Sequence, residues 1–518
     1  MDRQPTPVII DYSKGWVSNL GALLVPEGGS PDLRGVEHYL GVLRRSRGVS
    51  PFSVTTLTGS PRVIVNYKKV VLDTTYLICI TDSNIYKYNS ATGAWDPVGA
   101  YAGAAMRAIY TTISKDLLII ADGDAVVMKY DGTTLAALGG LAAPKTVIRG
   151  KVVLDFWSHL LLMNTTEAGN TLPYRARWSN TGDPETWDTG NAGFQDLIDP
   201  PGAILAGDKI ADRAFAWKER SIWEAIYVGY PRVFVFSPII DGTGIIAPLS
   251  LVRVGAYRAF LGNDAFYMFD GGNLADISEP INDILFGHNS IVTTAYVNRS
   301  CAVYVEALHE IWLAVPVNAS TIPNYIFRYS VKNKSWWHKY SLGGVYSVGS
   351  WQTGAEKAWT DLVGTWAAQT WRWYDSPGSL QYPLTLIAEG TKIKQINPFS
   401  GADEDVYQEA YWETKDYSPS VATRWVDYHI ECRGIGDLEL FYSLGGLIDG
   451  TESGAPWTSL GTKPVTTSEF SVVKWTFDVL ASSIRFKVKW PEAEVEIRQQ
   501  FASYIPHGRW VAKPDERA

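Results

Sequence analysis

Histidine and cysteine are the side chains most able to ligate a metal or act as nucleophiles, and both are sparse in this sequence. No two of them stand at the spacing of a zinc site, a CxxC pair or an HExxH motif. The three cysteines predict neither a disulfide framework nor a metal site, and they fit a reducing compartment. The residues are His38, His159, His288, His309, His338, His429, His507, Cys79, Cys301 and Cys432.

One glycine-rich segment has a loose nucleotide-binding pattern. Gly242 to Ala247 reads GTGIIA after an apolar run and fits GxGxxA. Dinucleotide binding needs a helix to begin at these glycines. Pro248 and the strand-like LSLVRVG follow instead, so we interpret the segment as an ordinary loop. P-loop, GxSxG and EF-hand patterns are also absent, and we expect no catalytic residue, no cofactor and no metal.

Carboxylates and aromatic rings are the groups with which a protein binds or cleaves sugars. Ser179 to Trp187 comes near the sialidase aspartate box, but its glycine and aspartate stand in the reverse order. A carbohydrate-binding or glycoside-hydrolysing propeller is therefore the alternative hypothesis, because aromatic residues more often pack a core. The tryptophans that could stack sugar rings are Trp336, Trp337, Trp366, Trp371 and Trp373.

The composition limits the class of protein. The 518 residues are 13% aromatic and only 19% charged, with a net charge of -8. Disordered tails lack aromatics, and coiled coils are rich in Ala, Glu, Lys and Leu, so both are excluded. An acidic chain is also unsuited to gripping the phosphates of nucleic acid. We find no secretory signal and no apolar run of membrane-helix length, and so expect no membrane segment.

Short β-rich runs separated by polar turns recur along the chain and predict an all-β fold. In the first unit, Tyr76 to Thr81 pairs with Ile85 to Tyr88 across a polar turn, and Trp95 follows a second turn. Asp-Gly turns between β-branched runs are a strong hairpin signal. The second unit has predicted turns at 122–124 and 131–132. The later predicted hairpins pair 160–163 with 174–178, 213–217 with 221–227, 258–262 with 265–269, and 310–315 with 325–329.

The hairpins recur about every 40–55 residues, which is the spacing of propeller blades. We therefore predict an N-terminal extended docking segment at 1–50, a β-propeller of six or seven blades at 51–398, and a separate C-terminal β-sandwich at 399–518. An array of β-sandwiches is the alternative for the central region. The acidic segment 403–417 is interpreted as a linker or an edge strand.

The C-terminal region contains two runs with alternating charge. Ile484, Phe486, Val488 and Trp490 alternate with Arg485, Lys487 and Lys489, and after Pro491 glutamates alternate with Ala493, Val495 and Ile497. Alternation with a period of two predicts strands with one buried face. If the two runs form a hairpin, a cationic strand lies beside an anionic one, which is a favourable pairing.

Three segments carry a specific likeness to a known family. RARWSNTGDPETWD at 175–188, the segment at 215–248 and FLGNDAFYMFDGGNLADIS at 260–278 resemble tail hub or nozzle proteins of tailed bacteriophages, related to the podovirus packaged-DNA stabilisation protein group. LRRSRGVSPF at 43–52 is similar to the start of the propeller in that group. The motif residues are Trp178, Ser179, Asp183, Pro184, Trp187, Lys218, Glu219, Arg220, Asp264, Phe266, Tyr267, Asp270 and Gly271.

The resemblance implies a virion structural protein and not an enzyme. Proteins of this family form a homo-hexameric ring below the head-to-tail adaptor. The ring continues the DNA channel, retains the packaged genome and anchors fibres, spikes or a needle. We accordingly expect this chain in the phage tail, and in the host cytoplasm before assembly.

Two expectations about charge follow from the resemblance. A channel rich in Lys and Arg would bind DNA phosphates and slow ejection, so we predict that the lumen is not basic. Arg44, Arg45 and Arg47 form the sharpest basic cluster. We consider two interpretations of it, a docking site for an acidic adaptor surface and a solvated segment with ordinary exposed charges.

Overall fold

The computed structural model describes residues 5–53, 55–103, 108–141, 148–340, 343–352, 383–396, 401–404, 406–419, 423–444 and 456–506. Within these ranges nearly all of the regular secondary structure is β-strand, which confirms the predicted all-β class. The helices in them are short, namely α1 (Asn282–Leu285) and 3-10 helices at Pro248–Ser250, Glu279–Ile281, Thr294–Arg299 and Glu306–Leu308. Trp366, Trp371 and Trp373 lie outside the described residues.

Seven short strands precede the propeller. They are β1 (Thr6–Ile10), β2 (Gly15–Trp16), β3 (Gly29–Ser30), β4 (Leu33–Arg34), β5 (Val36–Tyr39), β6 (Val42–Arg45) and β7 (Val49–Pro51).

The propeller strands follow in order. They are β8 (Pro61–Lys69), β9 (Thr74–Thr81), β10 (Asn84–Asn89) and β11 (Ala94–Ala100); β12 (Tyr110–Ser114), β13 (Leu117–Ala121), β14 (Met128–Tyr130) and β15 (Leu135–Ala137); β16 (Ile148–Phe156), β17 (His159–Glu167), β18 (Asn170–Trp178) and β19 (Gly193–Asp196); β20 (Ile204–Ile210), β21 (Arg213–Lys218), β22 (Ser221–Gly229) and β23 (Val233–Asp241); β24 (Val252–Val254), β25 (Tyr257–Leu261), β26 (Phe266–Phe269) and β27 (Leu274–Asp276); β28 (Cys301–Val305), β29 (Glu310–Val315), β30 (Tyr325–Ser330) and β31 (Ser335–Tyr340); and β32 (Val345–Trp351), β33 (Leu384–Glu389) and β34 (Lys392–Ile396).

These strands form a β-propeller with six four-stranded blades, as predicted. A larger sheet, in which β28 to β31 continue into β2 and β3, takes one further position in the ring. The first strands of most neighbouring sheets contact each other, and β32 contacts β8 to close the ring. The helix at 248–250 contacts β20, β25 and β28. The sheet of β32 to β34 is completed by β7, so the N-terminal segment helps to close the propeller.

The segments predicted to pair as hairpins do pair. Ile85 lies opposite Ile80 and Tyr86 opposite Cys79 in the first unit. The pairs 161–178, 215–224, 260–267 and 312–328 confirm the later ones. Each turn segment contains residues that favour reversal, and the Asp122 carboxylate accepts hydrogen bonds from the amides of Asp124 and Ala125 at 2.9 and 2.7 Å. Local turn chemistry therefore determines where the blade strands begin and end.

The remaining strands are β35 (Ala402–Asp403), β36 (Val406–Tyr407), β37 (Ala410–Glu413), β38 (Thr423–Ser443), β39 (Thr458–Ala481), β40 (Arg485–Trp490) and β41 (Glu494–Pro506). Of these, β35 and β36 form a two-stranded sheet of their own, and the other five belong to a larger second sheet. The nine-stranded sheet has the order β4-β37-β40-β38-β41-β6-β5, with β1 on β41 and β39 on β38. This sheet curls into a nearly closed, sandwich-like unit.

The second sheet is not a separate domain beginning at 399. Four of its strands come from the first 45 residues, so the N-terminal segment is integral to it and is not an extended docking arm. One core contains Trp16 and Leu33 from the N-terminal segment, Phe266 and Trp337 from the propeller, and Trp425 from the second sheet. The N-terminal segment thus packs in one core with both the propeller and the second sheet.

The alternating runs have the predicted faces but different neighbours. The apolar residues of both runs are at most 1% exposed. They are Ile484, Phe486, Val488 and Trp490 in the first run, and Ala493, Val495 and Ile497 in the second. The two runs do not form a hairpin with each other, because β40 pairs with β37 and β38, while β41 pairs with β38, β6 and β1. Both runs lie on the same side of the long strand β38, one after the other.

The lysines of the cationic run form ion pairs with carboxylates from a different part of the chain. The segment at 403–417, interpreted above as a linker or edge strand, contains β37 in the interior of the sheet, and it supplies the carboxylates for the cationic run. Lys487 Nζ lies 2.7 Å from Glu413 Oε1, and Lys489 Nζ lies 3.4 Å from Glu409 Oε1. Cross-strand pairs of opposite charge stabilise a sheet, and here they are made between strands distant in sequence.

Candidate functional site

The first family-like motif forms the end of one blade strand and its following turn. Trp178 is buried, and its indole N–H donates to the Asn191 carbonyl at 3.0 Å. Ser179 is buried, and its hydroxyl accepts from the Leu160 amide at 3.0 Å. Both residues therefore hydrogen-bond to nearby backbone and are almost entirely shielded from solvent.

The Asp-Pro-x-x-Trp part of the same motif is a capped turn. The Asp183 carboxylate accepts from the Thr186 hydroxyl at 2.7 Å and from the Glu185 amide at 3.0 Å. These bonds hold the pKa of Asp183 below its usual range. Pro184 and Trp187 are buried. The arrangement is that of an Asx-turn, with no second carboxylate placed for acid–base chemistry.

The second motif is the turn between β21 and β22. Lys218 is fully buried, and its ammonium donates to the carbonyls of Leu197, at 2.6 Å, and Pro200. Burial lowers its pKa. Glu219 and Arg220 form the exposed tip of the turn. The lysine thus fastens the connection between two successive blades.

The third motif occupies the next blade. Asp264 accepts from the Tyr267 hydroxyl at 2.8 Å, and Phe266 is fully buried. Asp270 accepts from the amides of Gly272 and Asn273 at 2.9 and 2.7 Å. Gly271 has φ +101°, a conformation that disfavours any side chain. These residues are turn and packing elements as well.

The three motifs do not converge on one site. They lie in three consecutive blades, and their contacts run from blade to blade. The side-chain amide of Asn263 donates to the backbone carbonyl of Glu219 at 3.0 Å, which joins the second motif to the third. What the motifs have in common is therefore the joining of neighbouring blades.

The basic cluster is not exposed, which corrects both interpretations of it. Arg44 and Arg45 are buried, at 7% and 2% exposure, because β6 lies inside the second sheet. Arg44 donates to Glu37 at 2.8 Å, and the Arg47 guanidinium lies 4.0 Å from Glu494. A buried cation must be paired to offset its loss of hydration. These side chains are not available to dock an adaptor.

Arg45 is held by backbone carbonyls. Its guanidinium donates to Ala493 at 3.3 Å, Pro491 at 3.1 Å, and also to Trp490 and Gln408. Burial lowers its pKa. Arg45 thus donates hydrogen bonds to carbonyls between the end of β40 and the start of β41, and to one carbonyl just before β37. It holds these three parts of the second sheet together.

A buried charge network joins the second sheet to the propeller. Arg328 of β30 is fully buried and contacts Glu310 of β29 with atoms at 2.8–3.0 Å. The same guanidinium donates to Glu37 of β5, whose carboxylate also accepts a hydrogen bond from Arg44. The four side chains carry two positive and two negative charges, so the network is neutral. Sequence reasoning missed it, although Glu310 and Arg328 interrupt the otherwise apolar runs EIWLAV and YIFRYS.

The two glutamates of the network have different electrostatic surroundings. Burial alone raises the pKa of Glu37, but Arg328 and Arg44 outweigh it and hold the pKa below its usual range. Burial, together with the nearby Glu37, raises the pKa of Glu310, which shares Arg328 with that residue. Arg328 is therefore the cation on which both carboxylates depend.

His338 gives the same junction a pH dependence. Burial lowers its pKa from 6.5 to about 3, between the rings of Trp16, at 4.5 Å, and Tyr325, at 5.3 Å. Between these pKa values the unfolded chain binds the proton and the folded chain does not, so stability falls as pH falls below 6.5. The slope is at most about 1.4 kcal/mol per pH unit. We expect His338→Phe to lose this slope between pH 6.5 and 5 in denaturant titrations; equal slopes in both proteins would contradict the assignment.

An open cleft of about 510 Å³ lies between two blades. Trp178 and Phe234 belong to its lining, with one wall at 190–195 and the other at 230–235. Phe194 and Tyr230 in these walls are 51% and 79% exposed. Nearby, the rings of Trp157 and Tyr227 stack at 5.1 Å, and Tyr227 contacts Phe234. The cleft and its surroundings thus present several aromatic rings on an open surface.

In the described ranges of the chain, no three His, Cys, Asp or Glu side chains are grouped so that they could hold a metal ion. Nor does any helix in those ranges combine the length and apolar character that a bilayer span requires.

Comparison with known proteins leaves the family open. No protein-family model and no curated protein matches the chain. A solved structure of PorZ, an essential bacterial surface component of the type-IX secretion system of Porphyromonas gingivalis, is similar with a TM-score of 0.35 and 11% identity. The match covers 72% of this chain and 44% of PorZ, so the chain spans less than half of that protein. This likeness carries no argument about function.

Proposed function

We propose that the chain is a structural protein of a phage tail hub or nozzle. In this proposal six copies form a ring below the head-to-tail adaptor, and the ring continues the DNA channel. It retains the packaged genome and anchors distal tail parts. The chain is not an enzyme in this proposal, and it contacts the genome without reading its sequence.

The observation that carries the proposal is the position of the motif residues. The residues that resemble the tail proteins cap turns or fasten neighbouring blades, as with Asp183, Lys218 and Asp270. Such residues serve a scaffold. The N-terminal segment adds strands to both the propeller and the second sheet. This supports the same function, because a tail protein that retains compressed DNA must resist mechanical load.

Deletion of the gene in the phage that encodes the chain tests the proposal. We expect purified wild-type particles to contain about six copies, the number that a sixfold ring requires. Particles without the protein should have heads that lose their DNA, and the wild-type gene supplied in trans should restore them. Full heads and normal infectivity without the protein would contradict the proposal.

The alternative is a carbohydrate-binding or glycoside-hydrolysing propeller. The cleft with Phe194 and Tyr230 favours it, because exposed rings stack on sugar faces. The two functions separate in one assay. The tail proposal expects no reducing ends when the purified protein is incubated with host polysaccharide, whereas a glycosidase would release them.

A further inference from the structure

The strand β39 forms a long open edge of the second sheet. It has 24 residues and pairs with β38 along nearly its whole length. Within the described residues no strand pairs with its other side. An open edge presents unpaired N–H and C=O groups that can add a strand from another chain.

The second half of this edge has a composition that favours strand pairing, although it also carries the charges of Lys474 and Asp478. From Phe470 to Leu480 it contains neither proline nor glycine and is rich in β-branched and aromatic residues. Such a segment, exposed at an edge, is a strong site for strand pairing. Val472 and Leu480 are 57% and 56% exposed. In a folded protein these features call for a partner.

The exposed residues of this segment are self-complementary. The even-numbered positions from 472 to 480 are exposed, while the odd-numbered ones are buried or half-buried. The alternation continues through the irregularity of the β38–β39 ladder between Thr476 and Val479. If two copies pair antiparallel about Thr476, Val472 faces Leu480 of the second copy. Lys474 then faces its Asp478, and the reciprocal pairs follow by symmetry.

The charges next to this edge extend the match. Within one chain Asp478 pairs with Arg424, and Lys474 Nζ lies 3.0 Å from Asp427. Across the two copies the row would read Arg424, Asp478, Lys474, Asp427, with the sign alternating at each step. Opposite charges on adjacent strands stabilise pairing, and like charges oppose it.

We infer that two copies of this chain pair through β39, antiparallel and centred on Thr476. The contact is isologous, with the same surface on both copies. It goes beyond the proposed function and does not rest on it: it describes the free protein before assembly, because a closed sixfold ring uses head-to-tail contacts. Its occupant is a second copy and not a different tail protein.

Cysteine cross-linking of the full-length protein tests the register. Directly opposite residues in antiparallel strands have Cα atoms about 4.5–5.5 Å apart, which a disulfide can span. We expect Thr476→Cys to form a covalent dimer under mild oxidation. The matched control, Thr466→Cys, is exposed on the same strand, but its two copies would lie about 65 Å apart and should not cross-link. The described native cysteines are buried, which limits background.

Charge reversal tests the same contact without a covalent bond. Each substitution counts twice in a symmetric pair, so Lys474→Glu should weaken dimerisation about tenfold in sedimentation equilibrium. The double variant Lys474→Glu, Asp478→Lys restores opposite charges across the contact but places like charges beside Arg424 and Asp427, so it should recover part of the lost affinity. A chain that stays monomeric through the micromolar range would overturn the inference. So would equal cross-linking of the two cysteine variants, or an adaptor or fibre protein on β39 in place of a second copy.

Discussion

Replacing Arg328 by methionine is expected to lower the free energy of unfolding by about 3–5 kcal/mol. Methionine fills much of the same space but removes the cation that Glu37 and Glu310 share. Two carboxylates would remain buried, and only Glu37 would keep a cationic partner, Arg44. Breaking one side of a buried pair costs far more than the pair contributes, because the remaining charge stays without hydration. Denaturant titration followed by tryptophan fluorescence measures the loss.

Lys68→Met is the matched control. Lys68 Nζ lies 3.2 Å from Asp73, but the two side chains are 59% and 85% exposed. Exposed pairs are worth about 0–1 kcal/mol, so this variant should unfold close to wild type. Equal losses from both substitutions would contradict the importance that we assign to the buried network. The Arg328 variant should also separate propeller unfolding from that of the second sheet, because the network joins them.

Replacing Trp490 by alanine is expected to cost about 3–5 kcal/mol. The side chain is fully buried in the core that the second sheet shares with the propeller, and its indole N–H donates to the Val495 carbonyl at 3.0 Å. Alanine leaves a cavity and a carbonyl without its donor. Thermal and denaturant unfolding should both detect the loss.

Trp157→Ala provides the comparison. Trp157 is 54% exposed and contacts chiefly the Tyr227 ring, so its loss should cost less than about 1 kcal/mol. If the two tryptophan variants were equally stable, Trp490 would not lie in a packed core. The pair thus tests the burial pattern that the alternation in 484–490 predicted.

Local patterns in the sequence predict much of this fold. Turn chemistry at Asp122 and Asp131 places strand ends, and a period of two assigns Phe486 and Val488 to a buried face. These patterns depend on residues close together in the chain. The all-β class and the propeller therefore follow from the sequence.

The partners of those strands do not follow from the sequence. A cationic run needs anions beside it, but the alternation is equally compatible with Glu496 and with Glu413 as neighbours. The structure pairs Lys487 with Glu413 and Arg44 with Glu37. That choice depends on contacts across hundreds of residues, such as the 291-residue separation between Glu37 and Arg328. For the same reason the arginine cluster at 44–47 could not be recognised as buried.

Density for this chain in electron cryo-microscopy maps of intact virions tests the proposed function most directly. The account predicts a ring of six copies below the head-to-tail adaptor, with the propeller and the second sheet fitting as one body and DNA in the channel. Virions whose tail density contains no such ring, although the protein is made during infection, would contradict it.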